Sequence, residues 1–276
     1  MPYAVNGNIS LHYEVRGEGE TLILSSGLGG TSGYWQPQME YLSRRFRVVT
    51  YDHAGSGKSS RSVGARTVSQ FASDMLAVIR ASGAEHAHVL GHAVGGITGL
   101  QLALDAPGVV RSLVMGNAWG EADPHIARCF SVRMKLLEDS GLDAYIEAQP
   151  LFLYPATWIS EYDRELRAKA GRMPEHIPSS LDLSSRVEAF LKFAPPPGDL
   201  ARLDVPVLCL ATKDDMLVPW TCSQRLAQQL GNGIFKLLPW GGHGSSETAP
   251  EDFEAALEAF YQPIGESTSN DCPSHS

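Results

Sequence analysis

The run His88-Val-Leu-Gly-His-Ala-Val-Gly-Gly96 constrains this chain more than any other segment. An apolar strand pattern ends in Gly91-His-Ala-Val-Gly95 and passes at once into a helical one. The arrangement follows G-x-S-x-G, in which a serine stands on a sharp strand-to-helix turn with the next backbone N–H aimed at an oxyanion. Such a turn needs small residues on both sides, and Gly91 and Gly95 supply them. The central position, however, is Ala93. The backbone device for nucleophilic catalysis is encoded without its usual nucleophile.

Around this turn the sequence alternates strand and helix patterns. Ile9–Val15 alternates apolar and polar residues, as a strand with one wet face does. Thr21–Ser25, Phe46–Tyr51, His86–Gly91, Val110–Gly116 and Val205–Thr212 are short apolar runs bounded by turn residues, suited to parallel strands buried on both faces. Thr67-Val-Ser-Gln70 reads as a capping box ahead of Phe71, Met75, Leu76 and Ile79 on one helical face. Strands alternating with helices predict a doubly wound α/β sheet.

The alternation breaks after Trp119. From there to Gly198 the pattern is helical, with Ile126, Phe130, Met134 and Leu137 at helical spacing and Ala194-Pro-Pro-Pro-Gly198 at the end. An insertion this long is not a plain loop. It is expected to be a helical cap (residues 119–198) over the strand ends, where open α/β sheets bind ligands. Residues 1–118 and 199–262 then form the core, and 263–276, rich in Ser, Pro and Asn, form a disordered tail.

Charge and composition narrow the partners. A formal charge of −9 argues against nucleic acid and anionic membranes, both of which select basic patches. The apolar runs fall short of the roughly eighteen residues of a membrane span, and the N-terminus lacks a signal-peptide pattern. Cys129, Cys209, Cys222 and Cys272 are scattered without a C-x-x-C pair, which suits a reducing, cytoplasmic compartment. The histidines show no H-E-x-x-H spacing, so no metal and no cofactor are expected. The expected partner is a small-molecule substrate, with the chain as monomer or homodimer.

Three further segments fall in a telling order. Ser25-Ser-Gly-Leu-Gly-Gly30 follows a strand, and its Leu28 N–H is expected to join that of Val94 around a developing negative charge. Alone, this loop reads better as a glycine turn. Lys213-Asp-Asp-Met-Leu-Val-Pro219 follows the Val205–Thr212 strand and offers Asp215 to orient a histidine, while Asp214 caps the loop or the following helix. Gly241-Gly-His-Gly244 follows a strand at Ile234–Pro239 and offers His243 as a general base. A lone acid in a loop is usually solvated, and a lone histidine among glycines is usually incidental. Their order (elbow, acid, histidine) gives them weight together.

With these pieces the chain resembles the α/β-hydrolases over residues 1–262. Tyr51-Asp-His-Ala-Gly-Ser-Gly-Lys-Ser59 matches that family's D-x-R-G-x-G-x-S loop except for Ala54, and Ser26 stands where many members have histidine. The resemblance implies a mostly parallel sheet with helices on both faces and a helical cap. Within the family, Ser26–Gly30 with Tyr34-Trp35, Gly91–Gly95, and above all Glu147-Ala-Gln-Pro-Leu-Phe-Leu-Tyr-Pro-Ala-Thr-Trp158 resemble the RutD-type hydrolases of pyrimidine catabolism. That likeness implies hydrolysis of a C–N bond in aminoacrylate or carbamate, and some of those relatives also carry alanine in the elbow.

Ala93 leaves alternatives open. Native alanine would leave His243, oriented by Asp215, to activate water directly, and the cap likeness favours this. An engineered Ser→Ala change would instead mark a serine hydrolase of esters or lactones working through an acyl-enzyme. A fold that kept a ligand pocket and lost catalysis is a third reading, which the retention of both Asp215 and His243 disfavours. Cofactor-free oxygen chemistry is a fourth, and nothing in the sequence demands it. Trp35, Phe152, Tyr154 and Trp158 are candidates to line the pocket, although aromatic residues in helices are more often core. Asn117 and Trp119, after a core strand, are weaker candidates, and His92 is expected to be a buried, hydrogen-bonded support for the turn.

Overall fold

The structure, a computed structural model, describes residues 2–61 and 63–268. Eight strands form one sheet: β1 (Tyr3–Asn6), β2 (Ile9–Arg16), β3 (Thr21–Ser25), β4 (Arg47–Tyr51), β5 (Ala87–His92), β6 (Val110–Gly116), β7 (Val207–Thr212) and β8 (Gly233–Leu238). Their spatial order is β1-β2-β4-β3-β5-β6-β7-β8. Only the β1–β2 and β2–β4 pairs are antiparallel. Neighbouring residues of the central strands enter different apolar layers. Ile23, Val49, Val89, Leu113 and Cys209 face one layer, and Leu22, Leu24, Val48, Leu90, Val114 and Leu208 face the other. This two-sided burial is why those strands read as unbroken apolar runs.

Helices cover both faces. The Ile23 layer holds α2 (Val68–Ala81), α3 (Val94–Asp105) and α9 (Trp220–Gln229). The Leu22 layer holds α1 (Met39–Leu42) and α11 (Pro250–Thr268). Thr67 caps α2 reciprocally, its Oγ1 accepting from Gln70 N–H at 3.2 Å while Gln70 Oε1 accepts from Thr67 N–H at 2.8 Å. Between β6 and β7 run α4 (Pro124–Leu153), α5 (Ala156–Glu161), α6 (Asp163–Ala170), α7 (Ser180–Leu191) and α8 (Pro197–Ala201). Asp123 caps α4 through its Oδ1, and Gly141 (φ 86°) breaks that helix midway. The short α10 (Ser245–Thr248) follows the histidine loop.

Several boundaries differ from the sequence expectation for physical reasons. Strand β1 is additional: Asn6 pairs with Ile9 across a two-residue turn, Gly7-Asn8, with Gly7 at φ 59° in the first central position, where glycine favours a tight hairpin. β7 starts at Val207 rather than Val205, because Pro206 has no N–H to donate and contributes only its carbonyl, to Leu113 N–H at 3.0 Å. α11 continues to Thr268, into the stretch expected to be disordered; the rest of that stretch, 269–276, lies outside the described residues. No helix among the described residues is long and apolar enough to cross a membrane.

The elbow is a backbone-to-backbone contact between sheet and helix that leaves no room for a side chain. A Cβ on Gly95 would lie 2.2 Å from the Ser25 carbonyl oxygen and 2.5 Å from that of Ser26. A Cβ on Gly91 would lie 2.3 Å from Gly96 N. These neighbours are backbone and cannot swing aside. Gly95→Ala is therefore expected to destabilise the protein by about 3 kcal/mol, the upper range for forced overpacking. Gly29→Ala, whose Cβ would meet nothing within 4 Å, should cost about 1 kcal/mol or less. Urea unfolding of the two variants checks this, and equal midpoints would refute it.

Candidate active site

Strand β5 ends at His92, and α3 begins at Val94 with no connecting loop, so Ala93 absorbs the whole change of direction. It does so at φ 48° and ψ −116°, a strained region for a residue with a side chain. Its N–H donates to Gly116 O at 2.8 Å, and its carbonyl accepts from Gly96 N–H at 3.0 Å. Val94 is the first residue of α3, so its N–H has no acceptor within the helix and lies at the positive end of the helix dipole.

The loop after β3 packs against this turn. Gly30 N–H donates to Gly27 O at 2.9 Å, closing a turn that leaves the Leu28 N–H outside its hydrogen bond. The Leu28 carbonyl accepts from Arg186 Nη1 at 2.6 Å, which fixes the orientation of the peptide that follows. Arg186 also donates to Ala54 O at 2.7 Å and Ser56 Oγ at 3.2 Å, so a cation from α7 ties the insertion to two loops of the sheet. Burial lowers the Arg186 pKa to about 10, against the pull of Asp182. Below the same loop, His53 donates its backbone N–H to Gly30 O, and its Nε2 lies 3.0 Å from Ser25 Oγ.

Asp215 and His243 come together at the ends of β7 and β8. His243 Nδ1 lies 2.8 Å from Asp215 Oδ2, and both side chains are buried. Asp215 Oδ2 also accepts from Asn117 Nδ2 at 2.8 Å, while Oδ1 accepts from the N–H groups of Leu217 and Val218 at 2.8 and 2.9 Å. Four donors converge on this one carboxylate. Since it can only accept, Nδ1 of His243 carries the proton and Nε2 keeps a lone pair in the neutral ring. Asp214 holds the histidine loop, accepting from Gly242 N–H at 3.0 Å and Gly241 N–H at 3.4 Å. Thr212 Oγ1 donates to Gly242 O at 2.5 Å.

Asn117 contributes more than the sequence suggested. It takes a left-handed conformation (φ 52°), which asparagine tolerates, at the end of β6. From there its amide donates to Asp215 and Thr212, and its Oδ1 accepts from Ser245 Oγ at 3.2 Å. His92 sits where expected: its Nε2 donates to the His243 carbonyl at 2.9 Å, and its ring stacks on Tyr34. Its ring centroid is 4.6 Å from that of His243, which brings the residue beside Ala93 against the histidine. Burial first, and then neighbouring His243, hold its pKa well below the usual histidine value.

The aromatic candidates divide. Trp35 is 1% exposed in the Leu22 layer, below the sheet among Met39, Leu42 and Phe253, and is a core residue rather than a pocket wall. Its place in a short 3₁₀ turn (Ser32–Gln38) rotates the ring onto the sheet. Phe152 packs against the layer that contains Ala93 and Val94. Tyr154 covers Gly244, where a Cβ would lie 2.7 Å from Tyr154 Cε1, and its hydroxyl donates to Glu247 Oε2 at 2.8 Å. Gly244 N–H donates to Leu153 O at 2.8 Å. The Leu153–Pro155 segment thus lies directly on the histidine loop. Trp158 stands between Tyr154 and Tyr162 in an aromatic stack on α5, a helix with no buried residue; among the described residues no ring contact or hydrogen bond joins it to Ala93 or His243. Trp119 is wholly buried, its Nε1 donating to Phe190 O at 3.4 Å. A surface groove of about 1310 Å³ lies elsewhere, between α2, α3 and the Phe193–Pro196 stretch, and includes none of these residues.

Comparison with known proteins decides the family. The chain is 45% identical to an Azorhizobium caulinodans protein provisionally named carbamate hydrolase RutD, over 94% of this chain and 98% of the relative. The chain belongs to the RutD family of α/β-hydrolases. A Caulobacter vibrioides relative of the same name is 48% identical over 91% of this chain and 95% of its own length. Residues 20–134 match the α/β-hydrolase fold family. A hydrolase from Pseudomonas aeruginosa superposes with TM-score 0.84 at 25% identity, covering 95% of this chain and 98% of that one.

The buried histidines give the RutD-family chain a defined acid response. His53 is pushed down to about 3 by burial first and then by nearby Arg186. Because the unfolded value is near 6.5, the unfolded state binds the proton first as the pH falls. The stability contributed is fully present above about pH 6.5 and is lost progressively towards pH 3. For His53 alone the loss at pH 4.5 is roughly 2–3 kcal/mol. Urea unfolding at pH 7.5 and 4.5 should show this fall, and a shallower one in His53→Gln; identical slopes in both proteins would refute the assignment.

Proposed function

We propose that the protein hydrolyses a C–N bond in a small carbamate, amide or enamine, with water rather than an enzyme side chain as the nucleophile. The observation carrying this reading is the Asp215–His243 pair, with its Nε2 lone pair left over, next to an elbow that presents a methyl group at Ala93. The names of the relatives, as carbamate hydrolases, support the substrate class.

In this mechanism the Trp119–Gly198 helices act as a cap that closes the site from bulk water. A water above Ala93 transfers one proton to His243 Nε2 while its oxygen bonds to the substrate carbon. For a carbamate or amide the Leu28 and Val94 N–H groups form the oxyanion hole and hold the charge that develops on the substrate oxygen; an enamine first shifts a proton from nitrogen to its β-carbon, and the water adds to the resulting imine. Asp215 stabilises the imidazolium without taking its proton. When the intermediate collapses the C–N bond breaks, and His243 returns the proton to the leaving nitrogen. For carbamate the balance is carbamate plus water to bicarbonate plus ammonia. The loss of a side-chain nucleophile still leaves roughly 10³–10⁴-fold acceleration from the remaining machinery, enough for a labile substrate. Free, buried thiols at Cys129, Cys209 and Cys222 fit a cytoplasmic setting for this chemistry.

The second reading, a serine ester or lactone hydrolase carrying Ser→Ala at position 93, draws on the strained Ala93 backbone, which equally suits a serine. One set of variants separates the two. His243→Ala should lower turnover of small carbamates and enamides by at least about 10²-fold, and Asp215→Asn by a similar factor through loss of the correct tautomer. Ala93→Ser should change that turnover by no more than about tenfold, because the water already occupies its position. An inert parent chain whose Ala93→Ser form cleaves activated esters and is labelled at position 93 by a serine-directed phosphonate would establish the second reading. Inertness of both would leave a binding protein.

A further inference from the structure

Three arginines in or beside the insertion have very different partners. Arg66 pairs with Asp74, and Arg186 donates through both Nη groups to two carbonyls and a hydroxyl, with Asp182 nearby, although the Nε of each is buried without a partner. Arg133, only 3% exposed, forms no ion pair among the described residues. Its Nη2 donates to two neutral oxygens, Tyr145 Oη at 3.2 Å and Gln149 Oε1. Its Nε is buried without a partner, as in the other two, but Arg133 alone combines the lack of an ion pair with an Nη1 that no hydrogen bond among the described residues uses. A buried cation with unused donors is costly unless an anion completes it.

The surroundings suit an anion that arrives and leaves. Gln149 Nε2 donates to Tyr145 O at 3.0 Å, which fixes that amide with its oxygen towards the guanidinium. The rings of Phe130, Tyr145 and Phe152 lie 5.1, 5.6 and 5.6 Å from Arg133 Cζ and hold the group in place. Arg133 also shares its helix face with the site. One turn earlier, Cys129 Sγ lies 3.7 Å from the carbonyl of Met216, the residue after Asp215, and Phe130 packs near Trp119 at 6.3 Å between ring centroids. Phe152 packs against the layer containing Ala93, and Leu28 packs against the cluster containing Tyr145. The guanidinium is therefore bracketed by neighbours of the acid loop and the Leu28 turn.

We propose that Arg133 binds the anionic end of the substrate, a carboxylate separate from the carbon that loses nitrogen, whose two oxygens match the guanidinium fork. This rests on the hydrolase reading for its substrate but assigns specificity to a residue outside the Ala93–Asp215–His243 centre. Charge and planar geometry then select small acids over their uncharged amides. A purely structural Arg133 would behave differently, since replacing an uncompensated buried charge with a similarly sized apolar residue is neutral or stabilising and leaves ligand affinity untouched.

Calorimetric titration with propionate and its neutral isostere propionamide provides the test on the parent chain, Arg133→Met and Arg133→Lys. The parent should bind propionate and not propionamide. Arg133→Met should lose about 100-fold in propionate affinity, and Arg133→Lys, which keeps the charge without the fork, about tenfold. With N-formylglycine and N-formylglycinamide as a charged and uncharged pair, Arg133→Met should reduce kcat/KM for the acid alone. Thermal unfolding checks that Arg133→Met is folded, and Arg133→Lys supplies the comparison if it is not. Equal propionate affinity in all three proteins, no propionate binding to the parent, or an equal loss on both formyl substrates would overturn the assignment. Arg133-dependent propionate binding in a protein that hydrolyses no C–N bond would refute the hydrolase reading alone.

Discussion

The first turn of α3 presses against the carbonyls of Ser25 and Ser26 with no room for a Cβ at Gly91 or Gly95, and this contact organises the rest of the molecule. It forces the chain to reverse within one residue, which puts Ala93 at φ 48° and leaves the Val94 amide without an acceptor inside the helix it starts. It also draws the Leu28 turn to the elbow and leaves the ends of β6, β7 and β8 to supply the polar groups opposite. The strain at Ala93 is tolerated because Gly116 and Gly96 bond its N–H and carbonyl from two directions. A catalytic group at this turn would be held by backbone alone.

Much of this was legible in the sequence because it depends on local rules. Glycine pairs mark close approach, apolar runs mark strands buried on both faces, and Thr67–Gln70 announces its own helix start. What escaped depends on partners far along the chain. Nothing near Trp35 shows that its turn aims the ring below the sheet, and nothing near Asn117 shows that Asp215 and Ser245 will reach it. Of the adjacent Asp214 and Asp215, the motif order already offered Asp215 to the histidine, but nothing local shows that Asp214 secures the histidine loop rather than capping its own loop or the helix after it. Arg133 did carry a signal. It interrupts the apolar face made by Ile126, Phe130 and Leu137, and a charge on such a face is a question the fold must answer.

Polar groups under the insertion are arranged with different degrees of completeness. Asp215 has all its acceptor directions used, so the His243 ring is held in one orientation before any substrate arrives. Arg186 is held through both Nη groups by oxygens from two loops and behaves as a strut. His92 Nδ1 and Arg133 Nε remain without partners. Rigidity is thus concentrated in the groups that orient.

The bond from Gly244 N–H to the Leu153 carbonyl has a consequence for anyone exchanging parts between members of this architecture. Tyr154 fills the space left by a missing side chain at Gly244 and reaches on to Glu247, which in turn meets Lys169. The far end of α4 is therefore stitched to the two residues on either side of His243's own loop position and to the short helix behind it. Grafting a foreign set of helices between β6 and β7 would cut that seam and release the imidazole, even if every residue of the sheet were kept. The transplantable unit is the helices and the histidine loop together.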